Sequence, residues 1–110
     1  MKTSLIAIVR DSVESAQQQG LLANFALPAF QVNRPEEAAF GEYTSNVALM
    51  AAKFAGSNPR ALAEILRETI LKNTGDGQFF EKIEVAGPGH LNLFLSQKTL
   101  GQIVETILLQ

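Results

Sequence analysis

His90 is the chain's single imidazole. It stands two residues before Asn92 in the stretch AGPGHLNLFLS, among apolar neighbours. Residues two apart on an extended strand share a face, so the alternation sets His90 and Asn92 on one side and Leu91 and Leu93 on the other. An aromatic ring offers a plate on which a splayed base can stack, and a carboxamide matches a base edge with one donor and one acceptor. Phe94, next on that face, would extend the plate. The same two residues can also serve structure alone, with Asn92 bonded to backbone and His90 facing water.

Other chemistries find little support. No acidic residue lies at helical ligand spacing from His90, and the absence of cysteine removes disulfides, thiolate metal sites and thiol nucleophiles. A serine nucleophile would call for a Gly-x-Ser-x-Gly elbow, which is missing. Glu36 with Glu37, and Glu64 with Glu68, read as solvated faces. Gly87-Pro88-Gly89 invites comparison with a phosphate cradle, but such glycines lead from a strand into a helix N-terminus, and these lead into another strand. The expectation is a turn, with no catalytic residue and no metal.

Nine Lys and Arg against eleven Asp and Glu give a net charge of -2. That is too little positive charge for strong autonomous binding to phosphates. Arg34, Lys82 and Lys98 are the candidates for a local basic patch. An RNA contact built on them would add orientation and specificity to affinity supplied elsewhere.

The elements that must position these residues are legible from period and punctuation. Leu5, Ile8, Val9, Val13 and Ala16 recur at helical spacing behind Thr3 or Ser4 as a cap, with Gly20 weakening the last turn and Leu21 and Leu22 available to prolong the helix. Pro28 sets its outer limit. Phe30 to Asn33 alternate as a short strand that ends at Arg34-Pro35. Residues 35–44 have turn composition and lead to Thr44 or Ser45 as the cap of a helix whose apolar face is Val47, Met50, Ala51 and Phe54. Asn58-Pro59 starts the next helix, with Leu62, Ile65, Leu66, Thr69 and Ile70 as its stripe and Gly75 closing it. Ile83, Val85, Leu91, Leu93 and Leu95 alternate in two strands around Gly87-Pro88-Gly89, where Pro88 and Gly89 suit the centre of a type II turn unless the connection is looser. Ser96 caps a last helix carrying Leu100, Ile103, Val104, Ile107 and Leu108. That helix has no termination signal, as in a piece cut from a longer protein or a helix packed on a partner.

The resulting class is α+β, a small, mostly antiparallel sheet packed against four helices. At 110 residues and 46% hydrophobic, the chain makes one domain with a real core and is not a disordered tail. MKTSLIAIVR imitates a signal peptide, but Arg10 and Asp11 interrupt it and no cleavage site follows. No apolar run approaches the roughly 18 to 20 residues of a membrane span. The expected location is the cytoplasm.

Two segments together, RPEEAAFGEYTSNVALMAAKFAGSNPRALAEIL and KIEVAGPGHLNLFLS, resemble the amino-terminal additional domain of arginyl-tRNA synthetases from about Phe30 onward. The family pattern of Arg-Pro, Gly-Asp-Tyr, Asn, Asn-Pro-Arg and Gly-Pro-Gly, aromatic, aliphatic, Asn is met by Arg34-Pro35, Gly41-Glu42-Tyr43, Asn46, Asn58-Pro59-Arg60 and Gly87 to Asn92. Glu42 replaces the usual Asp, and His90 stands where Phe is common. The resemblance implies that residues 1–110 form an N-terminal tRNA-recognition domain that contacts the D-loop and precedes a catalytic domain of the same polypeptide. It makes His90 and Asn92 the base readers and Gly87 and Gly89 the points of close approach, while Arg34, Lys82 and Lys98 stand as candidates for backbone contacts. The parent would ligate arginine to tRNA with ATP, and this part would need no cofactor. Two rival readings are an interaction module docking through the apolar last helix and a small enzyme using His90.

Overall fold

The structure, a computed structural model, describes residues 2–75 and 77–102. Helix α1 (Lys2–Gln18) buries Leu5, Val9, Val13 and Ala16 completely, the row that the apolar period marks out. It closes where Gly20 adopts φ 77°, with Gly20 N–H donating to Gln17 C=O at 3.1 Å and Leu21 N–H to Ala16 C=O at 2.9 Å. This is the paired bond pattern of a helix ended by a left-handed glycine. Leu21 and Leu22 therefore lie past the helix instead of prolonging it, Leu22 folded into the core and Leu21 exposed.

A stretch without regular secondary structure reaches β1 (Val32–Asn33), two residues of the four expected. A 3-10 turn (Ala38–Phe40) and strand β2 (Tyr43–Ser45) follow. The sequence pattern misses β2 because three residues are too few for alternation to register. The N-cap of the following helix is Asn46, whose side chain makes no capping bond, and not Thr44 or Ser45; Ser45 Oγ, one residue earlier, accepts from Val47 N–H at 3.2 Å. Helix α2 (Val47–Ala55) buries Val47, Ala48, Ala51 and Ala52, and not the Met50–Phe54 side; Phe54 is 61% exposed. Small side chains let α2 lie close to α3 and to the strand formed by residues 90–95, so fit and not bulk chooses the buried face.

Helix α3 (Pro59–Thr74) starts as expected, with Asn58 Oδ1 accepting from Arg60 N–H at 2.8 Å and Ala61 N–H at 3.4 Å. It buries Leu62, Ala63, Leu66, Thr69 and Ile70. Strands β3 (Phe80–Ala86) and β4 (His90–Leu95) pair antiparallel, with Ala86 opposite His90, Glu84 opposite Asn92 and Lys82 opposite Phe94. An irregularity between Phe80 and Lys82 resets the alternation, so Phe80 is buried while Lys82 points out. The chain is helical again over 97–102, where Ser96 Oγ accepts from Thr99 N–H at 3.1 Å. Ile103 to Leu108 of the expected last helix lie outside the described residues.

All pairings are antiparallel, in the order β1-β2-β4-β3. Val32, Tyr43, Ile83, Leu91, Leu93 and Leu95 make the inner face of the sheet, buried in one core with α1, α2 and α3. The opposite face belongs to Thr44, Glu84, His90, Asn92 and Phe94, and β4 runs through its middle. Among the described residues no helix is long and apolar enough to cross a membrane.

Candidate nucleic-acid interface

The hairpin turn fixes where His90 begins. Gly89 N–H donates to Ala86 C=O at 3.2 Å, so Gly87 and Pro88 occupy its centre, and not Pro88 and Gly89. Gly87 takes φ 56°, the positive torsion that a glycine before the proline supplies. The two glycines differ in surroundings. A Cβ on Gly87 would meet open space, whereas one on Gly89 would come within 3.0 Å of the Pro59 carbonyl. What Gly89 admits is thus the first residue of α3. Arg60 Nη1 donates to Gly87 C=O at 2.8 Å and completes the junction. Asn58-Pro59-Arg60 and Gly87-Pro88-Gly89, distant in sequence, form one structural unit that holds the start of β4 against the start of α3.

On the outer face, Thr44 of β2 lies directly opposite Asn92. Thr44 Oγ1 donates to Asn92 Oδ1 at 3.3 Å, and Asn92 is only 7% exposed. Among the described residues nothing engages its Nδ2, so the carboxamide is anchored by its oxygen and keeps its two donors. His90, by contrast, is exposed. Together with Pro35, Phe40, Thr44, Ala86 and Gly87, these two residues line an open cleft of about 300 Å³. Phe40, 47% exposed, brings an aromatic wall from the 3-10 turn. The sequence held one signal for it, a lone Phe in a polar turn. A second, smaller cleft of about 150 Å³, lined by Gln31, Asn33 and Asn46, adjoins at Thr44 and His90.

The loop carrying Phe40 is seated on β4 by neighbouring residues. Gly41, at φ 96°, leaves only 2.6 Å between an added Cβ and Leu93 C=O. Glu42 N–H donates to that same carbonyl at 3.0 Å, and Glu42 Oε1 accepts from Leu95 N–H at 2.6 Å. Asn46 Oδ1 accepts from Gln31 N–H at 2.7 Å, tying the approach to β1 onto β2. The residues with the strongest family resemblance therefore mostly hold backbone, and the side chains they leave facing the cleft are few.

The cations nominated from sequence do not gather at the cleft. Arg34 lies over the Tyr43 ring, its Cζ 5.6 Å from the centroid, beside a residue of the inner face. Lys82 is on the outer face, but its Nζ stands 4.5 Å from the centroid of Phe94 and 3.7 Å from Glu84 Oε1. It thereby covers the ring that would have extended the stacking plate. Lys98 lies beyond the other end of β4, which at 3.3 Å per residue is about 16 Å from His90. Among the described residues, a cation bonded to the cleft's lining is Arg60, which the sequence reading named in the Asn58-Pro59-Arg60 motif but not as an RNA contact. No cluster of three or more His, Asp or Glu suited to a metal occurs among the described residues.

Residues 3–95 match the model of the family described as arginyl tRNA synthetase N terminal domain. The match takes in α1, which the residue-level resemblance from Phe30 onward did not reach. The chain is 34% identical over 105 residues to an arginine–tRNA ligase of Shewanella putrefaciens, covering 96% of this chain and 17% of that protein. It is 37% identical over 108 residues to one of Stutzerimonas stutzeri, covering 98% of this chain and 18% of that protein. The chain thus spans less than a fifth of the length of these curated relatives.

Proposed function

We propose, for a chain that belongs to the arginyl-tRNA synthetase N-terminal domain family, that the cleft between β4 and the Phe40 loop reads an unstacked base in the D-loop of tRNA. The carrying observation is the pairing of an exposed ring at His90 with an Asn92 carboxamide held by Thr44 in one open cleft. A base entering there stacks on His90 against the wall of Phe40, while Asn92 donates to an acceptor on its edge. Holding the amide oxygen in advance lowers the cost of ordering that side chain on binding.

Gly87 lets the RNA approach the turn, and Gly89 fixes the turn on α3. Lys82 sits on the same face as the base readers. Arg34 and Lys98, if they touch RNA, do so at separate places. With a net charge of -2, the domain orients a tRNA whose affinity comes chiefly from elsewhere. That elsewhere is a catalytic domain in the same cytoplasmic polypeptide, which joins arginine to tRNA with ATP. This domain itself supplies no catalytic group and holds no cofactor.

The test is aminoacylation by the full-length enzyme with His90→Ala and Asn92→Ala, across tRNAs altered at single D-loop bases. A stacking contact is worth about 1 to 3 kcal/mol per base, and a histidine falls at the low end of that range. We expect kcat/KM for cognate tRNA to fall about tenfold for either variant, and discrimination among D-loop bases to narrow with Asn92→Ala. Unchanged efficiency and unchanged base preference in both variants would rule the reading out.

A further inference from the structure

We infer that Arg60 is a phosphate-binding residue, gripping the RNA backbone at the mouth of the His90/Asn92 cleft. The inference rests on the reading of that cleft as a base site and adds to it the backbone contact that the site otherwise lacks. Three observations carry it. Arg60 is exposed at the start of α3, and its Nη1 donates to the carbonyl of Gly87, itself a lining residue of the cleft. That single bond fixes the guanidinium beside the cleft and leaves its remaining N–H groups to a second acceptor, since a guanidinium has five donors and no acceptor. The other nearby cation, Lys82, is already shared between Glu84 and the Phe94 ring.

A guanidinium anchored on one side and open on the other is suited to a phosphate oxygen, whose planar, charge-assisted bonding it matches. A base held between His90 and Phe40 brings the phosphates of its own nucleotide to the rim of the cleft, and Gly87, with no side chain and open space around it, leaves that rim clear. Division of labour follows: Asn92 reads the base edge, and Arg60 holds the backbone irrespective of base.

The experiment measures binding of an arginine-accepting tRNA transcript to the full-length polypeptide that carries this chain, as a function of salt, for wild type, Arg60→Gln, Arg60→Lys and Asn92→Ala. Glutamine keeps an N–H for Gly87 while removing the charge; lysine keeps the charge. Losing one phosphate contact lowers the slope of log affinity against log salt by about 0.7 to 0.9. The wild-type advantage over Arg60→Gln then shrinks by roughly 2.5- to 3.5-fold between about 50 and 200 mM salt, equally on every D-loop base variant, and Arg60→Lys retains the wild-type slope. A uniform loss of affinity at all salt concentrations would reduce Arg60 to a prop for the turn and overturn the proposal, as would no loss at all. Asn92→Ala separates the two claims: undiminished base discrimination there refutes the base site, while the slope for Arg60→Gln still decides the phosphate contact.

Discussion

Gly41 and Gly87 both have positive φ, yet alanine should affect them very differently. At Gly87 the φ of 56° is the only obstacle, since an added Cβ meets nothing within 4 Å. Holding a non-glycine residue left-handed costs roughly 1 to 2 kcal/mol. At Gly41 the φ of 96° brings a comparable strain, and the new Cβ would also sit 2.6 Å from the Leu93 carbonyl oxygen and 3.4 Å from Phe94 Cδ1. The Leu93 carbonyl cannot yield freely, because it accepts from Glu42 N–H at 3.0 Å. Forcing an extra group into packed structure adds about 1 to 3 kcal/mol. Gly41→Ala should therefore cost roughly 2 to 5 kcal/mol in total, against 1 to 2 for Gly87→Ala. For a domain of this size the difference corresponds to a melting temperature lower by about 4 °C or more. Thermal unfolding followed by circular dichroism at matched concentration checks this. On the proposed reading, Gly41→Ala should also weaken tRNA binding, because Leu93 lies between Asn92 and Phe94 on β4 and the strand that would carry the base contacts is displaced. Equal melting temperatures for the two variants, or a larger loss at Gly87, would show that the seat of the Phe40 loop on β4 is not the tight contact described here.

Thr44→Val keeps a β-branched residue in β2 but leaves Asn92 Oδ1 without its donor; on the proposed reading base discrimination drops by roughly 2- to 12-fold, the equivalent of one hydrogen bond, and because Asn92 is buried the melting temperature falls by several degrees as well. Glu42→Ala removes the acceptor of Leu95 N–H and should cost about 1 to 3 kcal/mol, whereas Glu42→Gln retains an oxygen there and should cost less than half as much. Urea unfolding midpoints separate these, with the alanine variant lower by about 1 M.

Much of this protein was set by local pattern. The apolar period of α1, the Asn58-Pro59 start of α3 and the alternation that places His90 and Asn92 on one face all depend on neighbours within a few residues, where torsions, capping and strand period act directly. The α+β class follows from that succession of elements. Local pattern was overridden at the end of α1 by a left-handed glycine, and elsewhere by contacts outside the segment. Gly20 ended α1 before Leu21 and Leu22, through bonds to Ala16 and Gln17 that only the left-handed turn makes possible. Close packing turned Ala48 and Ala52 of α2 inward in preference to Phe54. β2 has too few residues to announce itself, yet it supplies Thr44 to Asn92 from 48 positions away. The placement of Arg60 on Gly87, the meeting of Gly89 with Pro59 and the scattering of Arg34, Lys82 and Lys98 likewise belong to the tertiary structure. Strand order and register bring together residues that no spacing along the chain connects, and a cleft exists only between elements once they are paired.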